Sequence, residues 1–222
     1  MTDDAPALPY LVREPTERTD GPPPAVILLH GYGSDAHGLF ALAERLDGRF
    51  MAFVPQGSVP LENGGWGWYW LGEATPLGRV ADASGMDLSR RDVLHLADFA
   101  ARGHGADPSR VYLLGHSQGG ALALCVALTE PERIAGMVAM SGRVIPEVLP
   151  MAAAPERMRG LRVFLAHGVD DPVVPVRHAR AARDLLVQRG AVVDFREYPA
   201  EHTVPPEMVA DVNAWLVARA FG

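Results

Sequence analysis

The chain has 222 residues, 48% hydrophobic and 21% charged, a balance that suits one globular domain with a sizeable core and no disordered excess of charge. A formal net charge of -7 argues against nucleic acid as a partner, because phosphate binding calls for clustered Lys and Arg. The single cysteine, Cys125, excludes an intrachain disulfide framework, no apolar run approaches a membrane span, and the acidic N-terminus does not resemble a signal peptide, so the expected location is cytoplasmic.

Taken in order, residues 1–9 read as a loose start and 10–18 as an edge strand interrupted by Pro15. Residues 25–29 form a continuous apolar strand of the kind covered on both faces. It runs into the glycine-rich loop His30-Gly31-Tyr32-Gly33-Ser34-Asp35, and a helix follows with apolar positions at Leu39, Leu42, Ala43 and Leu46. A strand is predicted over 50–54. Between 58 and 87 the periodicity fails, in an excursion that holds Trp66-Gly67-Trp68-Tyr69-Trp70 and with it three of the four tryptophans. Loops of this length are usually functional or disordered, and the aromatic density argues for order. Ser89-Arg90-Arg91-Asp92 reads as a capping box that opens a helix with Val93, Leu94, Ala97, Ala100 and Ala101 on one face, ending near Gly103.

An apolar run then reaches Gly115 and an Ala/Leu-rich helical run leaves from Gly119. Further strands are predicted over 134–140, 161–166 and 192–198, with 143–160 irregular or weakly helical. Helices are expected through Ala179, Ala182, Leu185 and Leu186, and through Met208, Val209, Val212, Trp215 and Leu216. Strands alternating with helices imply an α/β fold in one domain spanning 1–222, with a mostly parallel central sheet and helices on both faces.

The chemistry concentrates where strands end, as it does in open α/β sheets. Gly115-His116-Ser117-Gln118-Gly119 is a G-x-S-x-G placed between a strand and a helix, which puts Ser117 at the apex of a sharp turn whose glycines allow close backbone approach. The other reading is an ordinary strand-to-helix turn. A serine needs an adjacent base, and a histidine base needs a carboxylate to hold its tautomer. Ser117, Asp171 and His202 follow one another as nucleophile, acid and base, each after a predicted strand. Asp171, restricted by Pro172, is preferred to Asp170, and both to Glu197 or Glu201.

The remaining histidines read as structural or surface groups: His37, His95, His104 and His178 on loops and helices, His30 and His167 as braces at strand ends, and His116 pointing away from the serine. The backbone N–H groups of Tyr32 and Gln118 are the expected oxyanion donors. No metal-ligand cluster stands out, and a metal site is not expected.

Leu29-His30-Gly31-Tyr32-Gly33, Pro55-Gln56-Gly57, Gly115-His116-Ser117-Gln118-Gly119-Gly120, His167-Gly168 with Asp171-Pro172-Val173-Val174-Pro175, and His202 together resemble the α/β-hydrolase superfamily. Within it they are similar to the phospholipase/carboxylesterase family, which includes the acyl-protein thioesterases. The resemblance covers nearly the whole chain and supports Asp171 over Asp170. It implies an α/β-hydrolase fold without a large lid domain, needing no cofactor and cleaving carboxylic esters or thioesters through an acyl-enzyme.

Two departures stand out. Trp66, Trp68, Tyr69 and Trp70 are more aromatic than expected there, and either pin the excursion to the body or line the substrate site. Arg143 falls where the family often has an apolar residue, and reads as a solvated side chain, with recognition of an anionic substrate group as the alternative. The expected activity is a serine carboxylesterase on short- to medium-chain or aromatic esters, with acyl-protein thioesterase or lysophospholipase-type activity as the alternative. A lactone hydrolase and a silent binding protein of the same fold are the weaker rivals. The expected partner is a small-molecule ester, and a homodimer is left open.

Overall fold

Two kinds of contact order the chain: strands paired into one sheet, and helices laid over its two faces. The computed structural model describes residues 5–62, 64–75 and 78–222, so the loose start expected over 1–9 lies in part outside them. In chain order the strands and helices are β1 (Tyr10–Arg13), β2 (Ala25–Leu29), α1 (Ala36–Ala43), β3 (Met51–Pro55), β4 (Val59–Pro60), β5 (Trp66–Gly67), β6 (Leu71–Thr75), β7 (Gly78–Ala81), α2 (Ala83–His104), β8 (Val111–His116), α3 (Gln118–Thr129), β9 (Gly136–Met140), α4 (Pro155–Met158), β10 (Arg162–Gly168), α5 (Arg177–Gln188), β11 (Val192–Tyr198) and α6 (Pro206–Phe221). The main sheet is seven-stranded in the order β1-β3-β2-β8-β9-β10-β11. Only β1 runs antiparallel, against β3 at the edge, and the other pairings are parallel.

The alternation of β2 shows why the sheet is covered twice. Ala25, Ile27 and Leu29 enter one apolar cluster, Val26 and Leu28 the other, and all five are buried. The first cluster takes buried residues from α2, α3 and α5, the second from α1 and α6. Each fully buried Leu, Ile or Val in these layers contributes roughly 1.5–3 kcal/mol. Cys125, on α3, is buried in the first, and burial pushes its thiol up to about 12, as befits an inert group. The described residues carry no large lid domain, and none of their helices is long and apolar enough to cross a membrane.

The structure corrects several boundaries. The edge strand stops at Arg13 instead of 18, because Pro15 interrupts it and the Thr16 and Glu17 N–H groups turn to the Gly48 carbonyl. The excursion after 58 is not irregular. It folds as two small antiparallel pairs, β4 with β5 and β6 with β7, each too short to show a period in sequence. The stretch 143–160 is weakly helical, as expected, with a 3₁₀ turn over Pro146–Met151 and the single turn of α4.

The capping box does not exist. Helix α2 begins six residues before Ser89, capped by Asp82, whose carboxylate accepts the Ser84 N–H at 3.2 Å. Ser89 lies inside the helix, fully buried, and its hydroxyl donates to the carbonyl of Trp68. Asp92 sits a turn further on, half-buried, where burial raises its carboxyl pKa. The helix ends at His104, next to the expected Gly103, and closes on Gly105 at φ +74°.

Since Ser89 satisfies a buried carbonyl of the aromatic stretch, Ser89→Ala should lower unfolding free energy by about 1–3 kcal/mol in urea titrations. An unchanged midpoint would show that the bond contributes nothing.

Candidate active site

Strand β8 is buried up to Gly115 and hands over to α3 at Ser117, which adopts φ +55° and ψ -114°. A positive φ on a residue with a side chain is strained, and the surrounding contacts must hold it there. They do so through the two flanking glycines. A Cβ on Gly115 would lie 2.2 Å from the Gly119 carbonyl oxygen, and one on Gly119 would lie 2.0 Å from the Leu29 carbonyl oxygen. The start of α3 is thus wedged between the ends of β8 and β2, and the serine is lifted into the open.

Two other strand ends converge on it. His202 Nε2 stands 2.8 Å from Ser117 Oγ, and His202 Nδ1 stands 2.7 Å from Asp171 Oδ2. The second oxygen of Asp171 accepts the N–H groups of Val173 and Val174, at 2.9 and 2.8 Å. This leaves Nδ1–H as the donor toward Asp171 and Nε2 free to accept the serine proton. Gly168, at the end of β10, makes the meeting possible. A Cβ there would fall 2.2 Å from the Ala200 carbonyl oxygen and 2.4 Å from that of Glu201, so the segment bearing His202 lies directly on the acid strand.

Asp171 is buried, 5% exposed, and burial acts to raise its carboxyl pKa. The hydrogen bond from His202 and those from Val174 and Val173 outweigh it, and the net value is lowered. The rival carboxylates are placed elsewhere. Asp170 is exposed, Glu197 pairs with Arg180 at 2.7 Å, and Glu201 is exposed.

Two histidines brace strand ends as expected. His30 Nδ1 donates to the Gly31 carbonyl at 2.8 Å, while Nε2 accepts the Gly57 N–H at 2.9 Å. His167 Nε2 donates to the Val174 carbonyl at 2.6 Å, tying down the acid loop. His116 is a correction. It does not point away, because its ring packs against that of His202 with centroids 5.1 Å apart. Burial, then the neighbouring His202, pushes its pKa down to about 4, so it stays uncharged beside the imidazole that faces Ser117.

The cavity over Ser117 has a volume of about 470 Å³, and Tyr32, Gln118 and His202 line it together with the serine. The N–H groups of Tyr32 and Gln118 donate to no acceptor among the described residues. A Cβ on Gly31 would sit 3.4 Å from the Ser117 Cβ, so the loop carrying Tyr32 crosses close to the serine. The Gln118 N–H opens α3, whose dipole favours negative charge at that end.

The aromatic stretch divides. Tyr69 is buried and lines the cavity, whereas Trp66, Trp68 and Trp70 do not, which corrects the substrate-lining expectation for these three. Trp66 stitches the excursion to the loop after β2 through backbone bonds with Gly33 and Ser34. Trp68 is fully buried, its Nε1–H donating to the His30 carbonyl at 2.8 Å, and Trp70 is 50% exposed. The residue that holds the stretch was not read for that role in the sequence. Gln118 accepts the Trp68 N–H through Oε1 at 3.0 Å and donates through Nε2 to the Tyr69 carbonyl at 2.7 Å. Arg143 also lines the cavity, half-buried and bonded to the Arg79 carbonyl, so it is not the freely solvated side chain expected. His178 lines it too, while His37, His95 and His104 do not.

Because the folded value of Asp171 lies below the 3.8 of a free carboxylate, its ionisation stabilises the fold fully above that pH. The contribution disappears as pH falls through the lower folded value. The stability gap between wild type and Asp171→Asn, read from urea midpoints, should therefore be widest near neutrality and shrink below about pH 4. A gap independent of pH would contradict this.

A family model described as Phospholipase/Carboxylesterase matches residues 14–219. A relative from Neurospora crassa named Acyl-protein thioesterase 1 is 31% identical over 212 residues, spanning 87% of this chain and 86% of its own. Among solved structures, a Bacillus cereus carboxylesterase superposes with a TM-score of 0.83 at 21% identity, covering 98% of this chain and 100% of that one. A Mesorhizobium loti carboxylesterase superposes at 0.80 with 23% identity, covering 98% and 97%. The structural likenesses carry the α/β-hydrolase fold, and the family match runs through almost all of the sheet and every strand end described above. The chain belongs to the phospholipase/carboxylesterase family.

Proposed function

We propose that this chain is a serine carboxylesterase that hydrolyses short- to medium-chain or aromatic carboxylic esters through an acyl-enzyme. The observation that carries the reading is the continuous hydrogen-bonded line from Asp171 through His202 to Ser117, at 2.7 and 2.8 Å, opening into a cavity. In this reading His202 Nε2 takes the Ser117 proton as Oγ attacks the ester carbonyl. The carbonyl oxygen becomes an oxyanion held by the Tyr32 and Gln118 N–H groups. The imidazolium, oriented and stabilised by Asp171, gives its proton to the departing alcohol, leaving an acyl ester on Ser117. Water, activated by the same imidazole, then attacks that ester and releases the acid and the serine.

Thioester cleavage is the second reading, favoured by the name of the Neurospora crassa relative. It needs no different machinery, because a thiolate leaves more readily than an alkoxide from the same intermediate. The cavity, about 470 Å³, has room for the acyl group in either case.

Hydrolysis of nitrophenyl esters from acetate to dodecanoate tests the reading. Activity should peak at short or middle chains, and Ser117→Ala should reduce kcat by at least roughly 10⁴-fold while leaving the circular dichroism spectrum unchanged. A folded Ser117→Ala variant that keeps activity within tenfold of wild type would refute it.

A further inference from the structure

The two edges of the main sheet are built differently. At one, β1 pairs over four residues and is stopped by Pro15, which keeps that edge short. At the other, β11 runs for seven residues in an unbroken one-to-one register with β10, and it holds neither a proline nor a bulge. No strand among the described residues pairs with its outer side. A long edge left unblunted is a template for one more strand.

Two hydrogen bonds fix which way its backbone groups face. The Val192 N–H donates to the Leu161 carbonyl, and the Tyr198 carbonyl accepts the Val169 N–H, both toward the β10 side. Because successive residues of a strand alternate, Asp194 and Arg196 also bond inward, while the N–H and C=O of Val193, Phe195 and Glu197 point outward. These outward groups have no partner among the described residues. The side chains alternate too. Asp194 accepts the Trp215 Nε1–H at 2.7 Å and Arg219 at 3.3 Å, and Arg196 pairs with Asp211, so both lie on the face covered by α6. Each keeps about half of its side chain exposed. Phe195 lies on the opposite face, half-buried, with the Arg183 guanidinium 5.2 Å from its ring centroid.

Turned antiparallel about Phe195, a second copy of this strand fits the first. Phe195 meets Phe195, and Val193 of each copy meets Glu197 of the other, every such pair exchanging two hydrogen bonds through the outward groups. The pairs in between are the close, non-hydrogen-bonded kind, with about 4.5 Å between Cα atoms. There Asp194 of each copy stands opposite Arg196 of the other. Sliding the strands by two residues keeps the outward groups paired but sets like charges together, Asp194 against Asp194 in one direction and Arg196 against Arg196 in the other. A two-fold axis demands a self-complementary surface, and only the Phe195 centring of these three is complementary in charge as well as in backbone. We infer that β11 is the contact surface for a second copy of this chain, the two sheets joining antiparallel about Phe195 into one. The inference is independent of the serine-esterase reading above.

Sedimentation velocity tests it. Over a roughly hundredfold range of concentration, wild type should pass from one chain per particle to two. Arg196→Glu sets like charges opposite each other on both sides of the axis and should raise the dimer dissociation constant at least roughly tenfold. Asp194→Arg should do the same. An equimolar mixture of these two variants should dimerise again, because each strand then meets its complement in charge. Asp194→Arg also takes an acceptor from Trp215, so Glu197→Pro supplies a second route. It removes an outward N–H without touching the bonds to β10, at the expense of an exposed pair with Arg180, and should weaken the dimer as much. Circular dichroism checks that each variant is folded. A wild type that stays a single chain throughout, a dimer that Arg196→Glu and Glu197→Pro both leave unchanged, or folded charge variants that do not dimerise when mixed would each overturn the inference.

Discussion

At Gly119 the first turn of α3 presses against the carbonyl of Leu29 at the end of β2, with 2.0 Å between that oxygen and the place a Cβ would occupy. A matching contact at Gly115 closes the other side, 2.2 Å from the Gly119 carbonyl oxygen. No side chain fits at either position, and the backbone between them has one way to pass. It lifts Ser117 to a positive φ, aims the opening N–H of α3 at the same spot, and brings the loop after β2 across it. The parallel sheet supplies the rest, since it delivers the ends of β2, β8, β10 and β11 to one edge. At that edge the same device recurs where Gly168 lets the segment bearing His202 lie on the acid strand.

Burial divides the histidines of this region into different parts. His30 and His167 are buried, have their pKa values lowered mainly by burial, and spend ring nitrogens on backbone groups. They hold loops. His116 is kept neutral against the ring of His202, which leaves that ring without a second cation beside it when it takes a proton in the proposed mechanism. Gln118 links both tasks. Its backbone N–H is the proposed oxyanion donor, while its side chain anchors Trp68 and Tyr69, so one residue ties the aromatic stretch to the start of α3.

Much of this was legible in the sequence, for physical reasons. Doubly covered strands are apolar throughout, as in β2 and β8, and the glycines around Ser117 announce a contact too close for side chains. That an acid and a histidine would meet Ser117 could be read from order, because a parallel sheet sends successive strand ends to one edge, while Pro172 and the family resemblance favoured Asp171 over Asp170. Other features were not legible. Ser89 looks like a cap because a hydroxyl followed three residues later by a carboxylate is common to a helix start and to a helix interior whose hydroxyl serves a neighbour. The actual start, at Asp82, is hidden by Ser84 and Gly85, which favour turns. The four aromatic residues of the 66–70 stretch share a composition but not a fate, since only the tertiary course of the chain decides that Tyr69 meets the cavity while Trp68 meets His30. Arg143 reads as a surface cation until the β6–β7 hairpin is seen lying over it, because that contact joins segments with no sequence relation to one another.

The central claim is that Ser117 is the one activated hydroxyl, and that His202 activates it. The most direct measurement is labelling with a fluorophosphonate, located by mass spectrometry of the digested protein, on wild type and on His202→Ala. The account predicts a single adduct on the peptide containing Ser117 in wild type and a loss of labelling by several orders of magnitude in the variant. An adduct elsewhere, or labelling of Ser117 at the same rate without His202, would contradict it.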